Sequence, residues 1–138
     1  MRTMKNGRGC GRAARRLAIA LPLLLLSIMA LAGCAQEDKL RFDEVKLVAE
    51  PSEPTAGPDT KLTVQVENGK YKDREATVQI QINSRNTLPQ LLDAVREGDD
   101  YSVAYAFPKA GDYVITIHMY YSDEEHYEFG KQLKVAGE

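Results

Sequence analysis

The chain has 138 residues, with 18 Lys+Arg, 20 Asp+Glu and two cysteines, a length that allows one main domain. The charge is unevenly spread: the first 33 residues carry six basic residues and no acid, which leaves 12 basic against 20 acidic residues, a net of −8, in the other 105. An acidic body of that kind argues against nucleic acid as a partner and against a polybasic membrane contact.

In chain order, the basic start (Arg2, Lys5, Arg8, Arg12, Arg15, Arg16) runs into an apolar stretch from Leu17 to Leu31. The stretch is short for a spanning helix, which takes roughly 20 apolar residues. It suits the apolar region of a secretory signal, ~7–15 residues long, better than the alternative of an uncleaved signal anchor. At its end, Leu31-Ala32-Gly33-Cys34 resembles the lipobox of bacterial lipoproteins. That resemblance implies cleavage after Gly33 and a diacylglycerol on the Cys34 thiol, with palmitate-type chains anchoring the protein at ~0.8 kcal/mol per buried CH₂. It implies a lipid-anchored place on the extracytoplasmic face of a bacterial cell membrane. Cys10 would leave with the signal. The rest then has no pair of thiols for a disulfide and must stand on its hydrophobic core. The expected division is a signal peptide over 1–33, the lipidated cysteine and a polar tether over 34–41, and one domain over 42–136.

Within that domain the dominant period is two. Val45, Leu47 and Ala49 alternate with Lys46, Val48 and Glu50. Pro51, Pro54, Gly57 and Pro58 then interrupt the ladder. Leu62, Val64 and Val66 form the next row, closed by a turn at Asn68-Gly69. Val78, Ile80 and Ile82 form another, followed by the polar stretch 83–90. Tyr101, Val103, Tyr105 and Phe107 lead into a turn over Pro108 to Gly111. Tyr113, Ile115, Ile117 and Met119 come next, and Tyr127, Phe129, Leu133 and Val135 end the pattern. Short strands with one apolar face, separated by turn residues, predict an all-β antiparallel sandwich or barrel. One segment reads two ways. Leu88, Leu91, Leu92 and Val95 follow helical spacing behind a Thr87…Gln90 capping box, which predicts a short helix near 88–97. The same residues also fit a strand from Leu92 to Glu97 turning at Gly98-Asp99-Asp100.

The stretch Phe107-Pro108-Lys109-Ala110-Gly111-Asp112-Tyr113 resembles the tyrosine corner of immunoglobulin-like sandwiches, with Gly111 and Tyr113 as its structural residues. Taken with Val114-Ile115-Thr116-Ile117-His118, His126 and Lys131-Gln132-Leu133-Lys134-Val135, and with the opening from Glu50-Pro51 to Ile80, the chain resembles the YtkA-like domain over roughly Val45 to Val135. The stretch 83–90 departs from that family's compact pattern. The resemblance implies a small, exported, non-enzymatic immunoglobulin-like domain, related to FixH-type proteins. It also implies a neighbourhood of copper handling or oxidase assembly.

His118 and His126 are the two imidazoles of the chain, and they flank the hairpin tip Tyr120 to Glu125. If the apolar rows face the core, both histidines face outward. Placing residue 120 opposite 126 keeps both rows on one side and makes the histidines diagonal neighbours, close enough to share an ion. Two imidazoles suit Zn²⁺ or Cu²⁺ with help from Asp123, Glu124, Glu125 or Glu128, while Met119 points to the opposite face. Set against this is a solvated tip without a ligand. Tyr120, Tyr121 and Tyr127 could offer an aromatic surface, or pack at the core and tip. Phosphate-loop, nucleophile-elbow and His-Glu-x-x-His motifs are missing from the sequence, so an enzyme is not expected. The leading expectation is a monomeric, non-enzymatic binding or accessory module of the cell envelope, held by the lipid on Cys34 and contacting another envelope protein or a ligand through loops at one end. Its alternative is a copper- or zinc-binding lipoprotein using His118 and His126.

Overall fold

The computed structural model describes residues 39–137. The signal, Cys34 and most of the tether lie outside them. Among the described residues, eight strands form two antiparallel sheets. In chain order they are β1 (Val45–Glu50), β2 (Asp59–Val66), β3 (Thr77–Ser84), β4 (Gln90–Asp93), β5 (Val95–Glu97), β6 (Asp100–Ala106), β7 (Gly111–Tyr120) and β8 (His126–Val135). One sheet has the order β1-β2-β6-β5 and the other β4-β3-β7-β8. In immunoglobulin lettering the first is A-B-E-D and the second is C-F-G with β4 as an extra edge beside C. The protein is therefore an immunoglobulin-like β-sandwich.

The apolar rows close the core between the sheets. Val45, Leu62, Val64, Val66 and Tyr101 come from one sheet, and Val78, Ile80, Ile82, Tyr113, Ile115, Ile117, Met119, Phe129 and Val135 from the other. Leu40, assigned to the tether from the sequence, is buried in the same cluster, so the packed unit starts there. Phe42 follows in a 3-10 turn, 6.4 Å from Phe129. Lys131, at an inward position of β8, places its ammonium over the Phe42 ring and on the Phe42 carbonyl.

Two expectations change. Asn68-Gly69 is not a simple turn. The Asn68 side chain accepts hydrogen bonds from the Lys70 and Tyr71 backbone and caps a one-turn helix, α1 (Gly69–Lys72), which delivers Tyr71 to the core. The short helix near 88–97 does not form. The chain runs as β4 on one sheet, passes Ala94, and continues as β5 on the other. Leu92 and Ala94 pack inward, whereas Leu88 is 89% exposed, Leu91 55% and Val95 67%. The physical reason is the partner. Three edge residues gain ladder hydrogen bonds to β6, and four gain them to β3, which an isolated two-turn helix has no packed face to outweigh.

The tyrosine corner is formed. Gly111 sits at φ +146°, a conformation that favours glycine, and the Tyr113 hydroxyl donates to the Lys109 carbonyl at 2.8 Å. The Pro-rich segment 51–58 is tied down by Ala56 N–H to the Ala136 carbonyl and Gly57 N–H to the Phe107 carbonyl, both 2.9 Å.

Candidate metal centre

Alternation along β7 buries Tyr113, Ile115, Ile117 and Met119 and sends Val114, Thr116, His118 and Tyr120 to the outer face. Met119 is fully buried, away from any ion held on that face. The β7–β8 register sets Tyr120 opposite His126 and His118 opposite Glu128. The histidines are thus diagonal neighbours, and Glu128 stands across from His118 and two residues along β8 from His126.

Their side chains converge. Donor atoms of His118, His126 and Glu128 all lie within 4.8 Å of one another. Nδ1 of His118 is 3.2 Å from Glu128 Oε1, and Nε2 of His126 is 3.7 Å from the same oxygen. The rings of the two histidines are near parallel, with centroids 5.7 Å apart, and Tyr120 stacks on His126 at 4.1 Å. The His118 side chain is only 13% exposed, although it faces outward, because these neighbours cover it. His126 at 35% and Glu128 at 58% stay open to solvent.

Nδ1 of His118 is buried and makes no hydrogen bond, despite the carboxylate oxygen nearby. The other ring nitrogen, Nε2, meets Gln81 Oε1 at 3.1 Å. An amide oxygen only accepts, so Nε2 carries a proton, and in the neutral ring Nδ1 then presents a lone pair. A lone pair facing a carboxylate oxygen is stabilised when a proton or a cation lies between them. Two imidazoles and one carboxylate are also a donor set that suits Zn²⁺ and other first-row divalent ions. Adjacent donors on a tetrahedral ion bound at ~2.0–2.1 Å stand about 3.3 Å apart, so modest side-chain rotation closes this group.

Of the four acids named from the sequence, Glu128 joins the histidines and Glu125 is turned elsewhere. Glu125 takes Arg74 Nη2 at 2.7 Å and the Tyr71 hydroxyl at 2.7 Å, with the Tyr127 hydroxyl at 3.2 Å. The Arg74 guanidinium and the Tyr71 hydroxyl hold the Glu125 carboxyl down at about 2, against an ordinary 4.5. Tyr121 packs edge-on to Tyr71 at 5.0 Å and lies under Arg74. The three tip tyrosines therefore divide: Tyr121 and Tyr127 join this cluster, and Tyr120 joins the histidines. The roles of Gln81, Arg74 and Tyr71 depend on contacts between segments far apart in the chain, which no local pattern signals. Compared with known proteins, the chain matches no protein-family model, and no curated protein matches it.

Proposed function

We propose that this protein is a non-enzymatic, lipid-anchored module on the extracytoplasmic face of a bacterial membrane, and that its ligand is a divalent transition-metal ion, Cu²⁺ or Zn²⁺. Cys34 would carry the lipid. His118, His126 and Glu128 would hold the ion, which supplies a positive centre for the two imidazoles and the carboxylate. The observation that carries this reading is the buried Nδ1 of His118, which makes no hydrogen bond, converging with two further donors within 4.8 Å. The resemblance to YtkA-like domains supports an exported binding module, with the membrane and another envelope protein as partners of a monomer.

Calorimetric titration of the full chain in detergent with Cu²⁺ and with Zn²⁺ tests it. The expected result is one ion per chain, lost in His118→Ala and in His126→Ala and weakened in Glu128→Gln. Absence of binding by either ion, or binding that survives both histidine substitutions, overturns the metal reading.

A further inference from the structure

The metal-facing nitrogen of His118 is selected by a chain of side-chain amides that begins at a backbone carbonyl. Asn83 lies opposite Val114 in the β3–β7 pairing. Its amide nitrogen donates to the Val114 carbonyl at 3.1 Å and to Thr116 Oγ1 at 3.2 Å. A backbone carbonyl only accepts, so the Asn83 amide has one orientation: nitrogen toward Val114, oxygen away. That oxygen accepts from Gln81 Nε2 at 2.7 Å. The Gln81 amide is thereby oriented too, with its oxygen turned to His118 Nε2 at 3.1 Å. Each link leaves the next a single choice, and the last choice is a proton on Nε2, which in the neutral ring leaves the lone pair on Nδ1.

From this we infer that Gln81 and Asn83 are positioning residues for the ion, a role that rests on the metal reading above. They fix His118 in the Nε2–H tautomer before any ion arrives, so that the site binds through His118 Nδ1, His126 Nε2 and Glu128. Ligating histidines commonly donate their second ring nitrogen to an acceptor that sets ring orientation and basicity, and loss of such an acceptor typically weakens metal affinity about 10- to 100-fold. Here the acceptor is a neutral amide whose own orientation derives from the ladder of β3 and β7. The ligand geometry is therefore tied to sheet register rather than to a loop.

Long-range ¹⁵N–¹H NMR of the metal-free full chain in detergent, at mildly alkaline pH, reads the tautomer directly. The expected spectrum shows His118 with a pyridine-type Nδ1 and a protonated Nε2. Gln81→Met keeps the length of the side chain and removes both amide groups. It should yield a mixture of tautomers and weaken Cu²⁺ or Zn²⁺ binding about 10- to 100-fold. Gln81→Glu keeps an oxygen acceptor for Nε2 while losing the donor to Asn83, and should restore the Nε2–H form although the Asn83 link is broken. A thermal melt of each variant shows whether the fold is retained. A protonated Nδ1 in the wild type, or an unchanged tautomer in Gln81→Met, overturns the positioning role whatever the metal does. An Nε2–H tautomer that Gln81→Met removes, in a protein that binds neither ion, leaves the amide chain standing and removes the metal reading alone.

Discussion

Tyr113 makes two separable contributions. Its ring is 4% exposed and meets Phe107 at 4.8 Å, and its hydroxyl spans the corner to Lys109. Tyr113→Phe should cost about 0.5–1.5 kcal/mol for the lost hydrogen bond. Tyr113→Ala should cost about 3–5 kcal/mol, since the ring leaves a hole in the core. Urea unfolding of the three proteins checks both, and equal stability of Tyr113→Phe and wild type removes the corner as a stabilising device. Glu125 allows a second prediction, on pH. Its folded carboxyl sits at about 2, lowered by Arg74 and then by Tyr71. A lowered carboxyl binds its proton later in the folded state than in the unfolded one. Its contribution is therefore complete above the unfolded value of ~4.3 and is lost as pH falls toward 2. Urea midpoints measured from pH 6 down to pH 2 should fall less steeply for Glu125→Gln than for wild type. Parallel curves would mean that the Arg74 pair adds nothing to the linkage.

At the scale of elements, the segment from Leu88 to Glu97 shows why spacing misleads. Leu88, Leu91, Leu92 and Val95 satisfy the i, i+3, i+4, i+7 pattern, yet Leu88 precedes β4, Leu91 and Leu92 lie on β4, and Val95 lies on β5, an edge strand of the other sheet. Leu88→Ser and Leu91→Thr should each change stability by no more than about 0.5 kcal/mol, as exposed substitutions do. Leu62→Ala, at 0% exposure, should cost about 2–5 kcal/mol. A large loss from the first two, read in urea, would restore the helix. The β7–β8 hairpin is the other informative element. The proposed ion on His118, His126 and Glu128 would tie the two strands between the pair that closes the tip, Tyr120 and His126, and the pair His118 and Glu128. Binding only to the folded state stabilises by about 2.7 kcal/mol at a hundredfold excess over Kd. Saturating Cu²⁺ or Zn²⁺ should therefore raise the Tm of the wild type and leave that of His126→Ala unmoved. An equal rise in both would place the ion elsewhere.

For the whole molecule, anchorage and folding should be independent. The core begins at Leu40 and includes the first packed residues of the domain, while the proposed lipid sits on Cys34. Cys34→Ser should move the protein from the detergent phase to the aqueous phase on phase separation, with the Tm of the domain unchanged. Retention in the detergent phase at unchanged size would rule out the lipobox. A lowered Tm would mean that residues before Leu40 take part in the fold.

What the sequence determined by itself is whatever depends on neighbours in the chain. The period-two rows named the inward faces of β2, β3 and β7, because successive side chains of a strand point to opposite sides. The same parity put His118 and His126 outside and Met119 inside. The Gly111–Tyr113 spacing named the corner, since its hydrogen bond reaches back only four residues. What only the tertiary structure decided is which distant groups meet. The β3–β7 register brings Gln81 and Asn83 to His118, and no local pattern carries that register. Glu125 and Glu128 look alike in sequence, but Arg74 claims the first and leaves the second to the histidines. Ala94 marks a change of sheet that periodicity could not reveal. A strand switching partners and a two-turn helix can place the same apolar residues, and the free energy that separates them comes from the ladder on the other side.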